Sequence, residues 1–157
     1  TAAIEAMRPI VNGFARVCYD LGEFGNGTKM KFVANLLVGV HTLAAAEAVL
    51  LGVRSGLDAA TVVKVIGDGA GSSRMLQVRG PVMAKRGWEK AAATNNDYYH
   101  GMKLIREAVE ATGCPTPLFS ACAPIYIAAL ASGHAEHDMA AVYEILERMA
   151  QNPVTKS

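Results

Sequence analysis

Lys31 and Asn35 are the residues whose types and spacing best fit a chemical site. They lie four residues apart in an apolar segment, and on an α-helix that spacing places both side chains on one face. There an ammonium and a carboxamide can converge on one small polar molecule. The alternative for Lys31 is an ordinary surface lysine whose aliphatic stem covers apolar neighbours. Asn35 favours the site, because a buried amide without partners costs about 1 to 3 kcal/mol and a substrate can supply partners.

Gly22, Gly25 and Gly27 form a glycine-rich turn just before this segment. Glycines allow positive φ angles and a close approach of the backbone to a ligand, and a helix that starts here offers free N–H groups. Gly27 is therefore a candidate ligand contact. The order G-x-x-G-x-G differs from the G-x-G-x-x-G of dinucleotide folds and follows no βαβ pattern, so we do not interpret the turn as a phosphate cradle.

Residues 21–35 resemble the G-x-x-G-x-G-x-x-x-K-x-x-N-N signature of the β-hydroxyacid dehydrogenases, a family that includes 3-hydroxyisobutyrate, tartronate semialdehyde and 6-phosphogluconate dehydrogenases. The positions in register are Gly22, Gly25, Gly27, Lys31 and Asn35. Asn35 matches the second asparagine of the signature, and Ala34 replaces the first, which has a supporting role in the family. The resemblance continues through residues 69–76 and 113–118 and into 133–141.

The resemblance implies an NAD(P)-dependent 3-hydroxyacid dehydrogenase, which transfers a hydride between a small 3-hydroxy acid and a nicotinamide. In such an enzyme Lys31 is the general acid or base, and Asn35 and Gly27 bind the substrate. NAD or NADP is bound mainly by an N-terminal Rossmann domain, so this chain alone is expected to be inactive. His100-Gly101 stands where the family usually carries a Lys-Asp pair near the cofactor, which makes His100 a candidate cofactor contact.

The elements that must position these residues are helices. The hydrophobic pattern predicts an all-α, multi-helical fold around a long central helix at 28–53 that is apolar on nearly every face. The resemblance implies that this fold is the C-terminal domain of such a dehydrogenase. The other predicted helices are 2–8 with a restart at Pro9, 58–66, 73–85 with an N-cap at Ser72 or Ser73 and a break at Gly80-Pro81, 92–112, 117–132 and 138–150.

The segment 15–20 is the one predicted strand, because it is short and rich in β-favouring side chains. A single strand leaves its hydrogen-bonding edges unpaired, so it needs a partner strand from another domain or another copy. Residues 1–21 accordingly resemble a helix-strand remnant at the end of a Rossmann domain, and residues 22–157 resemble the helical substrate-binding and dimerisation domain. The first residues show neither an initiator methionine nor a signal-peptide pattern, and we expect a piece of a longer protein.

The composition indicates which partners to expect. Hydrophobic residues make up 52% and charged residues 18% of the chain, so part of the apolar surface is expected to meet the upstream domain and a second copy in a homodimer or higher homo-oligomer. The net charge of +1 with scattered basic residues indicates neither a nucleic acid nor an anionic membrane as partner.

His41 and Glu47 interrupt the long apolar helix, which favours a buried helix over a membrane span. Three cysteines without a C-x-x-C pair indicate a reduced, cytoplasmic protein.

The main alternative function is a non-catalytic helical oligomerisation module in which Lys31 is incidental. Relatives with imine reductase activity replace the catalytic lysine, so Lys31 counts against that class. His134 and His137 are spaced for a metal site, but no third histidine or cysteine lies nearby, so we interpret them as solvated loop residues and expect no metal. Residues 67–73 fit a capped helix-to-helix turn better than an anion-binding nest.

Overall fold

The computed structural model describes residues 2–150, and these residues form helices connected by turns and loops. The elements are α1 (Ala2–Val11), α2 (Asn26–Arg54), α3 (Ala59–Gly67), α4 (Arg74–Lys85), α5 (Asn95–Thr112), α6 (Pro117–Ala131), a 3₁₀ turn at Met139–Ala141 and α7 (Val142–Ala150). The all-α class predicted from the sequence is confirmed.

The predicted strand Ala15–Asp20 is wrong, because this segment forms neither a strand nor a helix. A strand is stable only when a neighbouring strand pairs with its N–H and C=O groups, and residues 2–150 provide none. The only β-type pairing among them is an isolated antiparallel bridge between Thr94 and Asp138. Despite its β-favouring composition, the segment therefore has no partner strand among residues 2–150.

The two predicted helix interruptions at prolines are also wrong. Pro9 lies inside α1 and Pro81 lies inside α4. A proline in a helix removes one hydrogen bond to the residue four positions earlier. In α4 the helix packs on both α2 and α3, and we infer that this tertiary packing outweighs the lost bond.

α2 is the central helix, as predicted, and it packs against α3, α4, α5, α6 and α7. Its buried residues are confined to the second half, and they are Gly39, Thr42, Leu43, Ala45, Ala46 and Val49. Within residues 2–150, α2 is also the helix long and apolar enough to cross a membrane by length and composition alone, and 39% of its most apolar window is buried in this chain. The first half of α2, before Gly39, extends beyond the fully buried core.

Side-chain caps begin three of the helices. Asp58 accepts from the Thr61 amide before α3, Ser73 accepts from the Leu76 amide before α4, and Thr94 accepts from the Asp97 amide before α5. Each cap satisfies an N–H group that the first helical turn leaves without a partner. Of the two serines predicted as candidate caps, the structure selects Ser73.

A buried ion pair between Arg79 and Asp138 connects α4 to the turn before α7. Arg79 Nε donates to Asp138 Oδ1 over 3.0 Å, and both side chains are buried. The carboxylate also accepts from the backbone amides of Ala92 (3.2 Å) and Ala140 (2.9 Å). Three donors from three parts of the chain therefore compensate the charge of one buried aspartate.

Asn95 joins the first turn of α5 to the same turn. Its Nδ2 donates to the carbonyls of His134 (2.9 Å) and Asp138 (3.2 Å), and its own amide donates to the His137 carbonyl over 2.9 Å. The side chain is fully buried. The start of α5 is therefore held against the loop that precedes α7.

Gly39 is the point of closest approach between α2 and the aromatic residues of α5 and α6. A Cβ atom at Gly39 would lie 1.6 Å from the Tyr98 hydroxyl oxygen. The Tyr126 hydroxyl donates to the Gly39 carbonyl over 3.1 Å, and the Tyr98 and Tyr126 rings are 4.7 Å apart. Only glycine leaves room for the Tyr98 ring at this position.

Replacing Gly39 with alanine should lower the free energy of unfolding by about 1 to 3 kcal/mol, because overpacking forces Tyr98 and the backbone to move. Urea unfolding of the chain measures this change. Gly101→Ala in α5 is the matched control, since a Cβ there meets nothing within 4 Å. The control should gain about 0.5 to 1 kcal/mol from the helix propensity of alanine. Equal effects of the two substitutions would contradict the close contact at Gly39.

Candidate functional site

The glycine-rich turn leads directly into α2. Gly22 and Gly25 adopt left-handed backbone conformations with φ of 79° and 93°, which side chains rarely tolerate. Gly25 is the N-cap residue of α2, and the Asn26 side chain donates to the Leu21 carbonyl over 2.9 Å. Gly27 lies in the first helical turn, where a Cβ would meet nothing within 4 Å. The backbone at Gly27 is therefore open to a ligand.

Lys31 and Asn35 lie on successive turns of the first half of α2. Lys31 is exposed and Asn35 is half-buried, so Asn35 is less buried than its apolar neighbours suggest. Within residues 2–150 neither side chain forms a hydrogen bond, and both keep their polar groups available. The helical spacing needed for a shared site is present.

A groove of about 260 Å³ runs along the neighbouring face of α2 and the second half of α5. Its lining residues are Lys29, Phe32, Val33, Leu36, Ile105, Ala108, Val109, Thr112, Cys114 and Thr116. Lys31 and Asn35 are not among them. This groove is almost entirely apolar, and we do not assign the chemistry of Lys31 to it.

Tyr98 is a residue near the site that the sequence analysis missed. Its hydroxyl donates to the backbone carbonyl of Asn35 over 3.1 Å. Burial raises the pKa of this hydroxyl well above its ordinary value, so the group stays protonated and remains a donor at neutral pH. The partners are 63 residues apart in the chain, and no local pattern signals such a contact.

This helical domain matches a known protein family. The family profile described as "NAD-binding of NADP-dependent 3-hydroxyisobutyrate dehydrogenase" matches residues 25–146, which include both Lys31 and Asn35. The chain belongs to the β-hydroxyacid dehydrogenase family. The resemblance inferred from the sequence signature is confirmed.

Individual β-hydroxyacid dehydrogenase relatives cover nearly the whole chain. It is 31% identical over 91% of its length to glyoxylate/succinic semialdehyde reductase 2 of Arabidopsis thaliana, and 30% identical over 94% to 2-(hydroxymethyl)glutarate dehydrogenase of Eubacterium barkeri. The crystal structure of 3-hydroxyisobutyrate dehydrogenase from Salmonella typhimurium matches 92% of the chain with 27% identity and a TM-score of 0.85. The aligned region is 40%, 49% and 50% of these proteins, respectively, so the chain spans about half of their length or less.

His100 is exposed on α5. The sequence predicted this residue as a cofactor contact. It lies two residues after Tyr98, which contacts α2. Among residues 2–150 its imidazole forms no hydrogen bond with Lys31 or Asn35. Its assignment as a cofactor contact stays a prediction.

The His134–His137 pair differs from the solvated loop residues expected from the sequence. His134 is buried, its Nδ1 lies 2.8 Å from Nδ1 of His137, and its Nε2 lies 3.6 Å from Glu144 Oε2. The reason is that the turn folds back under α7 and against the Trp88 ring. Residues 2–150 contain no group of three or more His, Cys, Asp or Glu side chains arranged to bind a metal.

The domain should become less stable as the pH falls below about 6.5, the ordinary pKa of histidine. Burial lowers the pKa of His134, and His137 and Arg148 act in the same direction against Glu144 and Glu89. The unfolded chain therefore binds a proton at a higher pH than the folded chain, so stability is lost as the pH falls from the ordinary pKa to the lowered one.

Urea unfolding at about pH 7.5 and about pH 5 measures this loss on either side of the ordinary histidine pKa. His134→Gln should show a smaller difference between the two conditions than the unsubstituted chain. Replacing the exposed His100 with glutamine is the control and should leave the difference unchanged. A loss of stability that is the same in all three proteins would exclude His134 as its source.

Proposed function

We propose that the full-length protein is an NAD(P)-dependent 3-hydroxyacid dehydrogenase with Lys31 as its general acid or base. The observation that carries the proposal is the position of Lys31 and Asn35 on successive turns of α2, directly after the glycine-rich turn and inside the family match. Both side chains lack hydrogen-bond partners in the described part of the chain, so both are available to a substrate.

The residues of this chain have defined tasks in that reaction. A nicotinamide held mainly by the upstream domain would supply the acceptor for the hydride that leaves the carbinol carbon of the substrate. Lys31, as a neutral amine, takes the hydroxyl proton during oxidation, and as an ammonium it returns the proton during reduction. Asn35 orients the substrate by hydrogen bonds, and the backbone at Gly27 in the first turn of α2 offers N–H groups to an anionic carboxylate.

The proposed substrate class is a small acid that carries a hydroxyl group on the carbon β to its carboxylate. A single lysine amine provides for one proton transfer, and the open helix N-terminus provides for one carboxylate. The names of the two curated relatives above, a semialdehyde reductase and a hydroxymethyl-acid dehydrogenase, support small acids with an alcohol or aldehyde group.

The proposed partner within the same polypeptide is a Rossmann domain that binds most of the cofactor, with residues 1–21 as its end and residues 22–157 as the helical domain. α1 has no buried residue. The exposed large hydrophobic side chains before α2 are Met7, Ile10, Phe14, Val17, Tyr19, Leu21 and Phe24. An upstream domain that covers this segment would remove the apolar surface from water.

We further propose a cytoplasmic homodimer or higher homo-oligomer. Cys18, Cys114 and Cys122 are free thiols, which supports a reducing compartment. Exposed apolar residues on α2, including Val33, Leu37 and Leu51, support association between copies. The same surface supports the alternative function of a non-catalytic oligomerisation module, which the activity of Lys31 variants distinguishes.

Lys31→Ala in the full-length protein should lower kcat by roughly 10² to 10⁴, the contribution of general acid–base catalysis. Steady-state oxidation of small 3-hydroxy acids with NAD and with NADP measures the change. Lys29→Ala is the matched control, because Lys29 is two residues away and contacts Asn26 (3.2 Å) rather than the site. The control should keep nearly normal kcat, and a Lys31→Ala variant as active as the control would assign the proton transfer to another group.

The chain without an upstream domain should associate in solution, because its exposed apolar surface favours burial of at least about 1,000 Å² in an interface. Light scattering at micromolar concentration measures the mass. Val33→Lys on the exposed part of α2 should weaken association by placing a charge in the interface. A monomeric chain before any substitution would contradict the proposed dimer contact.

A further inference from the structure

Tyr98 provides the connection between the candidate site and the rest of the domain. Among residues 2–150, its hydroxyl makes the only side-chain hydrogen bond from another helix to the half of α2 that precedes Gly39, and the acceptor is the Asn35 carbonyl at 3.1 Å. The bond ends on the backbone of a proposed substrate-binding residue. Lys31 is one helical turn away from this anchored point.

The first half of α2 depends on such a contact because the core does not enclose it. The fully buried residues of α2 begin at Gly39. Before that point Phe32 and Leu36 are only partly buried against the core, and apolar contacts of this kind are non-directional. A hydrogen bond to one carbonyl is directional, so it specifies the rotation and height of the turn that carries Asn35.

Tyr98 is itself held in one position. Its ring lies on the backbone at Gly39, where even a methyl group would clash, and it packs at 4.7 Å against the Tyr126 ring. The start of α5 is fixed three residues earlier by Asn95, which donates to carbonyls of the loop before α7. Because the Tyr98 hydroxyl is held in place by these contacts, its hydrogen bond fixes the Asn35 turn relative to the domain core.

We propose that Tyr98 is a positioning residue for the Lys31–Asn35 site, whose hydroxyl sets where the lysine amine and the asparagine amide meet the substrate. This inference rests on the proposed function. The Asn35 carbonyl has two lone pairs, and its place inside α2 gives it the Gly39 amide as helical partner. Loss of the Tyr98 hydroxyl therefore leaves that carbonyl with a partner, and we expect Tyr98→Phe to fold.

The test compares Tyr98→Phe with Tyr126→Phe in the full-length protein. Each variant loses one buried hydroxyl that donates to a carbonyl of α2, but the Tyr126 acceptor is Gly39, within the buried half. Tyr98→Phe should lower kcat/KM about tenfold, less than the roughly 10² that a 1 Å misplacement can cost. It should also shift the pH dependence of kcat/KM, because the surroundings of the Lys31 amine change. Tyr126→Phe should leave the pH dependence unchanged.

Hydrogen exchange supplies a readout that does not need activity. Backbone amides of residues 31–39 should exchange faster in Tyr98→Phe than in Tyr126→Phe, and thermal unfolding should confirm that both variants are folded. If the two variants have equal kinetics and equal exchange, the positioning role of Tyr98 is overturned. If Lys31→Ala abolishes turnover but Tyr98→Phe does not alter it, the proposed function stands and this inference fails. If the unsubstituted protein oxidises no hydroxy acid, both fail.

Discussion

The buried contact between Arg79 and Asp138 holds α4 against the segments that precede α5 and α7. Moving two charges out of water is costly, and the cost is offset only when the remaining polar atoms of the carboxylate are also satisfied. Here the additional donors are the amides of Ala92 and Ala140, one from the segment before α5 and one from the turn before α7. A carboxylate that needs all three donors fixes α4, α5 and α7 relative to one another, because displacement of any of them leaves a buried charge without compensation.

Support for the candidate site runs from this ion pair through α5. Asp138 contributes its own carbonyl to Asn95, Asn95 fixes the start of α5, and α5 carries Tyr98 to the backbone of α2. The polar groups are therefore arranged as a series from the core to the site. This series gives the buried arginine, aspartate and asparagine one common role, which is to fix the start of α5.

Local information predicted most of the helices and the spacing of the site. Caps and glycine turns are local signals, so the central helix predicted at 28–53 differs from the observed Asn26–Arg54 by two residues at the start and one at the end. The strand at 15–20 failed because β-structure depends on a partner strand that composition does not reveal. Tyr98 and the Arg79–Asp138 pair were missed because their partners are 63 and 59 residues away, and His134 was misjudged because its burial depends on α7.

α2 is divided into a half that the core encloses and a half that projects from it, so a small tilt at their junction displaces the far end of the projecting half. Lys31 lies eight residues before Gly39, which corresponds to about 12 Å along an α-helix. With Gly39 as the pivot, a tilt of about 5° moves the Lys31 turn by roughly 1 Å, the scale of displacement at which catalytic geometry is lost. Small bending motions of one helix are therefore sufficient to move the proposed catalytic amine out of register. The Tyr98 bond to the Asn35 carbonyl, and any surface that meets the projecting half, restrict their amplitude.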